Sequence, residues 1–221
     1  YLDSANSSQK PKIVIDRMSN FYETEFSNVG RSVHSLAVKA TNRFEETRDK
    51  VKEYINAAHR EEIIFTKGAT ESINFIASSY GDKFINNGDE IIVTELEHHS
   101  NYVPWNFVRE KKGAIIRFAE VNERGEVEID SISKLITDKT KMIAITHLSN
   151  VTGAIIPIKK IVELAQKKKI PVLVDGTQGA PHLKVDMQKI GCDFYAISCH
   201  KMYGPNGLGI LYAKKNWLDI L

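Results

Sequence analysis

Repeatedly along the chain, a short apolar run breaks into a cluster of polar residues and a helical pattern follows. Ile91-Ile92-Val93 runs into Glu97-His98-His99, and Met142–Thr146 into His147-Leu148-Ser149-Asn150. Val172-Leu173-Val174 stops at Asp175, and Phe194–Ile197 breaks into Ser198-Cys199-His200-Lys201. Continuous apolar runs of this length, bounded by turn residues, are the pattern of strands buried on both faces. Amphipathic stretches lie between them. From Leu36 to Ala57, residues Ala40, Phe44, Thr47, Val51 and Tyr54 recur at spacings of three and four, with Glu46 and Lys50 paired on the charged face. This alternation predicts an α/β fold: a mostly parallel sheet with right-handed crossovers and helices on both faces. In such sheets ligands sit beyond the carboxyl ends of the strands. Thr70, His98, Asn150, Asp175 and Lys201 each fall just after a predicted strand, and so belong on one rim.

Taken in order, the chain is expected to open with a short strand at Tyr1–Ala5. A helix around Ile13–Phe26 follows, then a loop carrying Gly30, Arg31 and His34. Glu62–Phe65 reads as a strand, Gly68 as a tight turn and Ala69 onward as an apolar helix. Strand, glycine turn and helix N-terminus together make an anion site, with amides near Ala69 and Thr70 pointing at a phosphate. Thr70 is also a good N-cap, and capping alone accounts for it. The GK[ST] ending of a Walker loop is missing. Further strands are predicted at 90–94, 114–121 and 207–213. Asp130 is expected to cap a helix over 130–137, and Pro157 to open, as its first residue, the helix leading to Lys169.

Two of the strand-end residues define a chemistry. Burial at the end of a core strand lowers a lysine's pKa and makes Lys201 a competent amine nucleophile towards an aldehyde. An acid ending a buried strand, as Asp175 does, is costly unless it meets a cation. A lysine and an aspartate at neighbouring strand ends are what pyridoxal 5'-phosphate requires: the lysine holds the aldehyde, and the carboxylate keeps the pyridine nitrogen protonated. The adjacent His98 and His99 could ligate a metal, but sequence neighbours rarely face the same way and no partner motif accompanies them. No metal is expected. Stacking on a flat ring, or proton transfer, suits one imidazole of the pair better. Asn150 is placed to hydrogen-bond a ring substituent or a substrate carboxylate.

The totals narrow the classes. With 221 residues, 42% hydrophobic and 26% charged, the chain is an ordinary globular one, and a net charge of +2 gives no reason to expect nucleic acid or membrane partners. Cys192 and Cys199 are too close along the chain for a disulfide framework, which fits a reducing, cytoplasmic setting. Both ends read as cut from a longer protein. An organellar location follows instead if a targeting segment precedes Tyr1.

The segments YLDSA, TKGATESIN, ELEHHSN, THLSNVTG, VLVDGTQ and SCHKMYGP, in this order from Tyr1 to nearly the last residue, resemble the class V pyridoxal phosphate enzymes. Within them the chain is most similar to cysteine desulfurases of the SufS/NifS kind. The resemblance implies the large domain of the aspartate aminotransferase-like fold (fold type I), with residues 1–35 as an N-terminal segment and 36–221 as the cofactor-binding domain. It implies that Lys201 forms the Schiff base and moves the Cα proton, with Asp175 on the pyridine nitrogen and Gln178 on the ring hydroxyl. His98 would stack on the ring and assist protonation. Ala69, Thr70, Ser198 and His200 would hold the phosphate, while Asn150 and His34 would lie near the substrate.

The reaction implied takes sulfur from L-cysteine, leaving L-alanine and a persulfide that passes to an acceptor protein of the SufE/SufU kind for iron–sulfur cluster assembly. A homodimer is implied too. The family's nucleophilic cysteine and carboxylate-binding arginine lie in a C-terminal small domain that these 221 residues do not include, so the chain alone is expected to be nearly inactive. Cys199 stands where the family has glycine, Gly30 and Ser32 alter the loop before His34, and Thr177 replaces a common alanine. A selenocysteine lyase, a kynureninase or epimerase of the same class, and a truncated non-catalytic partner of a desulfurase remain as alternatives.

Overall fold

The computed structural model describes residues 1–221. After eleven irregular residues come α1 (Lys12–Thr24) and α2 (Ser35–Tyr54), then β1 (Ile63–Thr66), α3 (Ala69–Phe84), β2 (Glu90–Thr94), α4 (His99–Lys112) and β3 (Ile115–Ala119). The second half continues with α5 (Ile129–Ser133), β4 (Thr140–Thr146), α6 (Ile158–Gln166), β5 (Val172–Asp175), α7 (Gly179–His182) and α8 (Met187–Ile190). It closes with β6 (Phe194–Ser198), a 3₁₀ turn at Cys199–Lys201, β7 (Gly209–Ala213) and α9 (Lys215–Leu218).

The seven strands form one sheet in the order β1-β7-β6-β5-β4-β2-β3. The expectation of a mostly parallel sheet holds from β6 through β3, where all neighbours are parallel; β7 alone runs against both of its neighbours, β1 and β6. Six strands, β1 to β6, therefore end on the same rim.

Side chains alternate across each strand, and the core divides accordingly. Val172, Val174, Tyr195 and Ile197 pack on one face with α6 and α8, whereas Leu173, Phe194 and Ala196 pack on the other with Ile73 and Ile76 of α3 and Trp105 of α4. The central strands are buried on both faces, which explains their uninterrupted apolar runs; burying each Leu or Ile contributes about 2 kcal/mol. At the edge, β3 exposes Arg117 and Phe118, and its guanidinium turns back onto the buried Glu90 carboxylate at 2.7 Å.

Several local expectations need correction. Tyr1–Ala5 forms a turn rather than a strand: its backbone bonds run within the turn, as from Asn6 N–H to the Asp3 carbonyl, and the stretch then leads Ser8 to the His200 carbonyl. Gly68, not Thr70, is the N-cap of α3, since its extended backbone already turns the chain and puts Ala69 inside the helix. The helix predicted over 130–137 spans only Ile129–Ser133 and starts after Glu128; Asp130 lies in its first turn. Pro157 caps α6 from outside, one position before its first residue.

Candidate active site

At the shared rim, 14 residues enclose a pocket, and only 2 of them are hydrophobic. Such a lining suits a charged ligand held by directed polar groups rather than an apolar one. Ala69, Thr70, His98, Asn150, Asp175, Gln178, Ser198, His200 and Lys201 all line it, so the sequence-predicted cofactor residues converge. His34 does not. Its Nδ1 accepts from Ala37 N at 3.3 Å as the N-cap of α2, and the exposed residue lies outside the pocket lining.

One end of the pocket is built for an anion. The 16-residue α3 aims its N-terminus at it, and Ser198 Oγ at the end of β6 accepts from Ala69 N at 3.0 Å, joining the two loops. Thr70 Oγ1 shares a 3.0 Å hydrogen bond with Ser100 Oγ, which lies 3.0 Å from His98 Nδ1. His98 is also the N-cap of α4, its Nδ1 accepting from Ser100 N at 3.1 Å. The rings of His98 and His99 are 6.1 Å apart and inclined by 59°, so the pair does not converge on one point.

The other end is acidic and buried. Asp175 is 4% exposed and accepts from Thr177 N at 2.9 Å. Gly176 follows, where a Cβ would lie 1.8 Å from Tyr195 Cε1. Tyr195 donates to, or accepts from, His147 Nδ1 at 2.8 Å, both side chains being buried beneath the Asp175 loop. Burial holds the His147 imidazole down to about 4 and pushes the Tyr195 phenol well above its usual range. Glu97, just before His98, accepts from Thr94 Oγ1, Asn101 Nδ2 and Thr146 N, tying the end of β2 to the end of β4. Its enclosed carboxyl is raised to about 7, first by burial and also by the nearby Asp175 charge.

Lys201 stands between the two ends, half-buried. Burial pulls its ammonium below the ordinary lysine range, against the opposing pull of Asp175 and Asp3. His200 is likewise lowered by burial, aided by the Lys201 and Lys10 charges. Cys199, between Ser198 and His200, faces away. It lines an apolar groove with Val51 and Tyr54 of α2, Phe65 and Met202, and burial raises its thiol to about 11.

The family model for class-V aminotransferases matches residues 1–221. The chain belongs to the class-V aminotransferase family. A probable cysteine desulfurase of Halalkalibacterium halodurans is 48% identical over 219 residues, covering 99% of this chain and 54% of that protein. The Escherichia coli cysteine desulfurase CsdA, solved in an S-sulfonic acid form, matches with a TM-score of 0.91 at 40% identity over 100% of this chain and 55% of its own. SspA solved in complex with cysteine matches with a TM-score of 0.90 at 28% identity, over 97% of this chain and 61% of its own. This class-V chain thus spans about half the length of the curated relatives it matches.

Sequence reasoning passed over Asn6, Ser100, Thr146, Leu148 and Thr177, which also line the pocket. Ser100 and Thr177 stood inside motifs already singled out, and their proximity to His98 and Asp175 was the available signal. Asn6 carried no signal of its own, because the stretch around it read as a strand. No helix in this class-V chain is long and apolar enough to cross a membrane.

Proposed function

We propose that this chain is the cofactor-binding part of a cysteine desulfurase that uses pyridoxal 5'-phosphate to act on L-cysteine, with residues 36–221 as its cofactor domain. The observation that carries this reading is the sharing of one polar pocket by Lys201, Asp175 and the N-terminus of α3. The donor set fits the group at both ends. The Ala69 and Thr70 amides, Ser198 and His200 would hold the phosphate, and Asp175 would face the pyridine nitrogen with Gln178 beside the ring hydroxyl. When bound, pyridoxal phosphate supplies an aldehyde for a lysine and a ring that draws electrons from the substrate's Cα.

The chain's own residues then have distinct work. Lys201, its pKa depressed by burial, is the amine that holds the cofactor and the base that takes the Cα proton. His98 would lie against the cofactor and return a proton, while Asn150 would orient the substrate carboxylate. The overall exchange is L-cysteine plus an enzyme thiol giving L-alanine plus an enzyme persulfide, with the sulfur passed on to a SufE/SufU-type acceptor. We assign that thiol to a segment outside residues 1–221: Cys192 is fully buried and Cys199 faces the groove, both held protonated by burial. A homodimer is part of the same reading and is supported by exposed apolar residues such as Ile13, Met18, Tyr22 and Phe26.

Adding pyridoxal phosphate to the chain tests the reading. A yellow absorbance band, fixed by borohydride onto a peptide containing Lys201 and absent in Lys201→Ala, is the expected result. A label spread over surface lysines, unchanged by Lys201→Ala, would refute it. Alanine release from L-cysteine, compared with selenocysteine and kynurenine in a protein carrying the C-terminal half, separates the related activities.

A further inference from the structure

The eleven residues before α1 have no helix or strand, yet their bonds converge on one peptide group. The carbonyl oxygen of His200, in the peptide bond that enters Lys201, accepts from Ser8 N at 3.0 Å, Ser8 Oγ at 3.0 Å and Lys10 Nζ at 2.8 Å, with Ser7 Oγ at 3.4 Å. A carbonyl oxygen has two lone pairs, so this oxygen is crowded with donors, one of them an ammonium. Ser8 is 5% exposed, and its hydroxyl is used in both directions: it donates to the His200 carbonyl and accepts from Tyr203 N at 2.8 Å. Lys10 Nζ closes the arrangement on the Ser8 carbonyl at 2.7 Å.

The turn it grips needs an outside hold. Within the turn, Met202 N and Gly204 N both donate to the Cys199 carbonyl at 2.9 Å, which leaves the His200 carbonyl and the Tyr203 amide to other partners. Tyr203 has φ of 63°, a left-handed conformation that a bulky side chain keeps only when its surroundings impose it. Ser8 spans residues 200 and 203 and satisfies both groups at once. The same stretch reaches the Asp175 loop, because the Ala5 carbonyl accepts from Gln178 Nε2 at 2.7 Å. A segment that only needed tying down could be held anywhere. This one is tied to the turn of Lys201 and to Gln178.

We propose that Ser8, assisted by Lys10, is a positioning residue: it locks the Cys199–Gly204 turn so that Lys201 leaves the backbone aimed into the pocket. The proposal rests on the reading of Lys201 as the cofactor lysine.

The test uses the whole chain and four variants: Ser8→Ala, Ser8→Thr, Lys10→Met and Lys10→Arg. Without cofactor, amide exchange at Tyr203 is expected to quicken at least tenfold in Ser8→Ala and to return towards wild type in Ser8→Thr. With pyridoxal phosphate, the concentration needed for half-maximal labelling of Lys201 is expected to rise about tenfold in Ser8→Ala and two- to threefold in Lys10→Met, with Ser8→Thr and Lys10→Arg restoring it. Labelling of Ser8→Ala at the wild-type concentration overturns the proposal, whether or not its Tm or its Tyr203 exchange has changed, because the strap is then a tie-down only. If Ser8→Ala does not fold, the Lys10→Met and Lys10→Arg pair decides in the same way. Failure of the cofactor reading looks different: the wild type itself carries no label at Lys201, and the positioning role falls with it.

Discussion

The pocket has two unlike sides, and two histidines, the buried His147 and the pocket-lining His98, show the difference. On the β5–β6 side, Asp175 and its loop rest on a buried Tyr195–His147 pair, with Gly176 and Gly179 pressed against those rings. On the β2 side, His98 is exposed and held by its own helix start, through Ser100. One imidazole is part of the core that shapes the acid end, and the other is a group available to a ligand. Residues that position a site by burial should reveal themselves in stability, while residues that meet a ligand should reveal themselves in binding.

The sharpest way to break this contrast is Gly176→Ala. The added methyl would sit 1.8 Å from the ring of fully buried Tyr195, and overpacking of this kind costs about 3 kcal/mol. Urea unfolding that gives wild-type stability would show that the acid end is pliant after all.

The next effect is a pH dependence in which two groups oppose each other. His147 falls from an ordinary 6.5 to about 4 on folding, so between those values the unfolded chain binds more protons, and stability is lost as pH falls through that window. At about 1.4 kcal/mol per pKa unit, its full loss below pH 4 is about 3 kcal/mol. Glu97 rises from 4.5 to about 7, so the folded chain binds more protons between those values and stability is lost as pH rises through them. From pH 4.5 to 6.5 the two slopes offset each other. Glu97→Gln should uncover a stability that climbs with pH across that range in urea titrations. An unchanged curve would mean that His147 and Glu97 do not titrate as their burial dictates.

Tyr195→Phe keeps the packing but strands the His147 Nδ1, at a cost of about 1–2 kcal/mol by thermal or urea unfolding. The smallest stability effect is expected from His98→Ala, which loses an N-cap worth about 1 kcal/mol or less. That variant should nonetheless alter the visible spectrum formed with pyridoxal phosphate more than Tyr195→Phe does. Equal unfolding costs for the two variants, or a spectral change in Tyr195→Phe alone, would erase the distinction between the two sides.

Much of this is legible in the sequence. The strand ends were marked by apolar runs breaking into polar clusters, because central strands buried on both faces admit polar residues only where they emerge at the rim. That rule put Thr70, His98, Asn150, Asp175 and Lys201 on one edge, and all five line the pocket. It could not find the Tyr195–His147 pair. A tyrosine inside an apolar run reads as core, and a histidine beside Leu148 reads as one more rim residue; their contact depends on strand alternation across two neighbours. The N-terminal stretch misled for a related reason. Tyr1–Ala5 has strand-like residues but joins no strand, and the bonds of the following Ser7, Ser8 and Lys10 run to residues nearly two hundred positions away, which no local periodicity encodes.

The antiparallel β7 also orders events in time. β1, which delivers the chain into Gly68 and the start of α3, has no strand partner except β7, and β7 is the last strand in the sequence. Long-range pairings of this kind are the slow steps of folding, because the loop must close before any contact rewards it. On a ribosome, where domains form as the chain emerges, the β2–β6 sheet with Asp175 and Lys201 can assemble first, while β1 waits for residues 209–213 to pair with it. The sheet is therefore completed at its β1 edge last, and an unfinished chain holds Asp175 and Lys201 at neighbouring strand ends before the strand that feeds α3 is fixed.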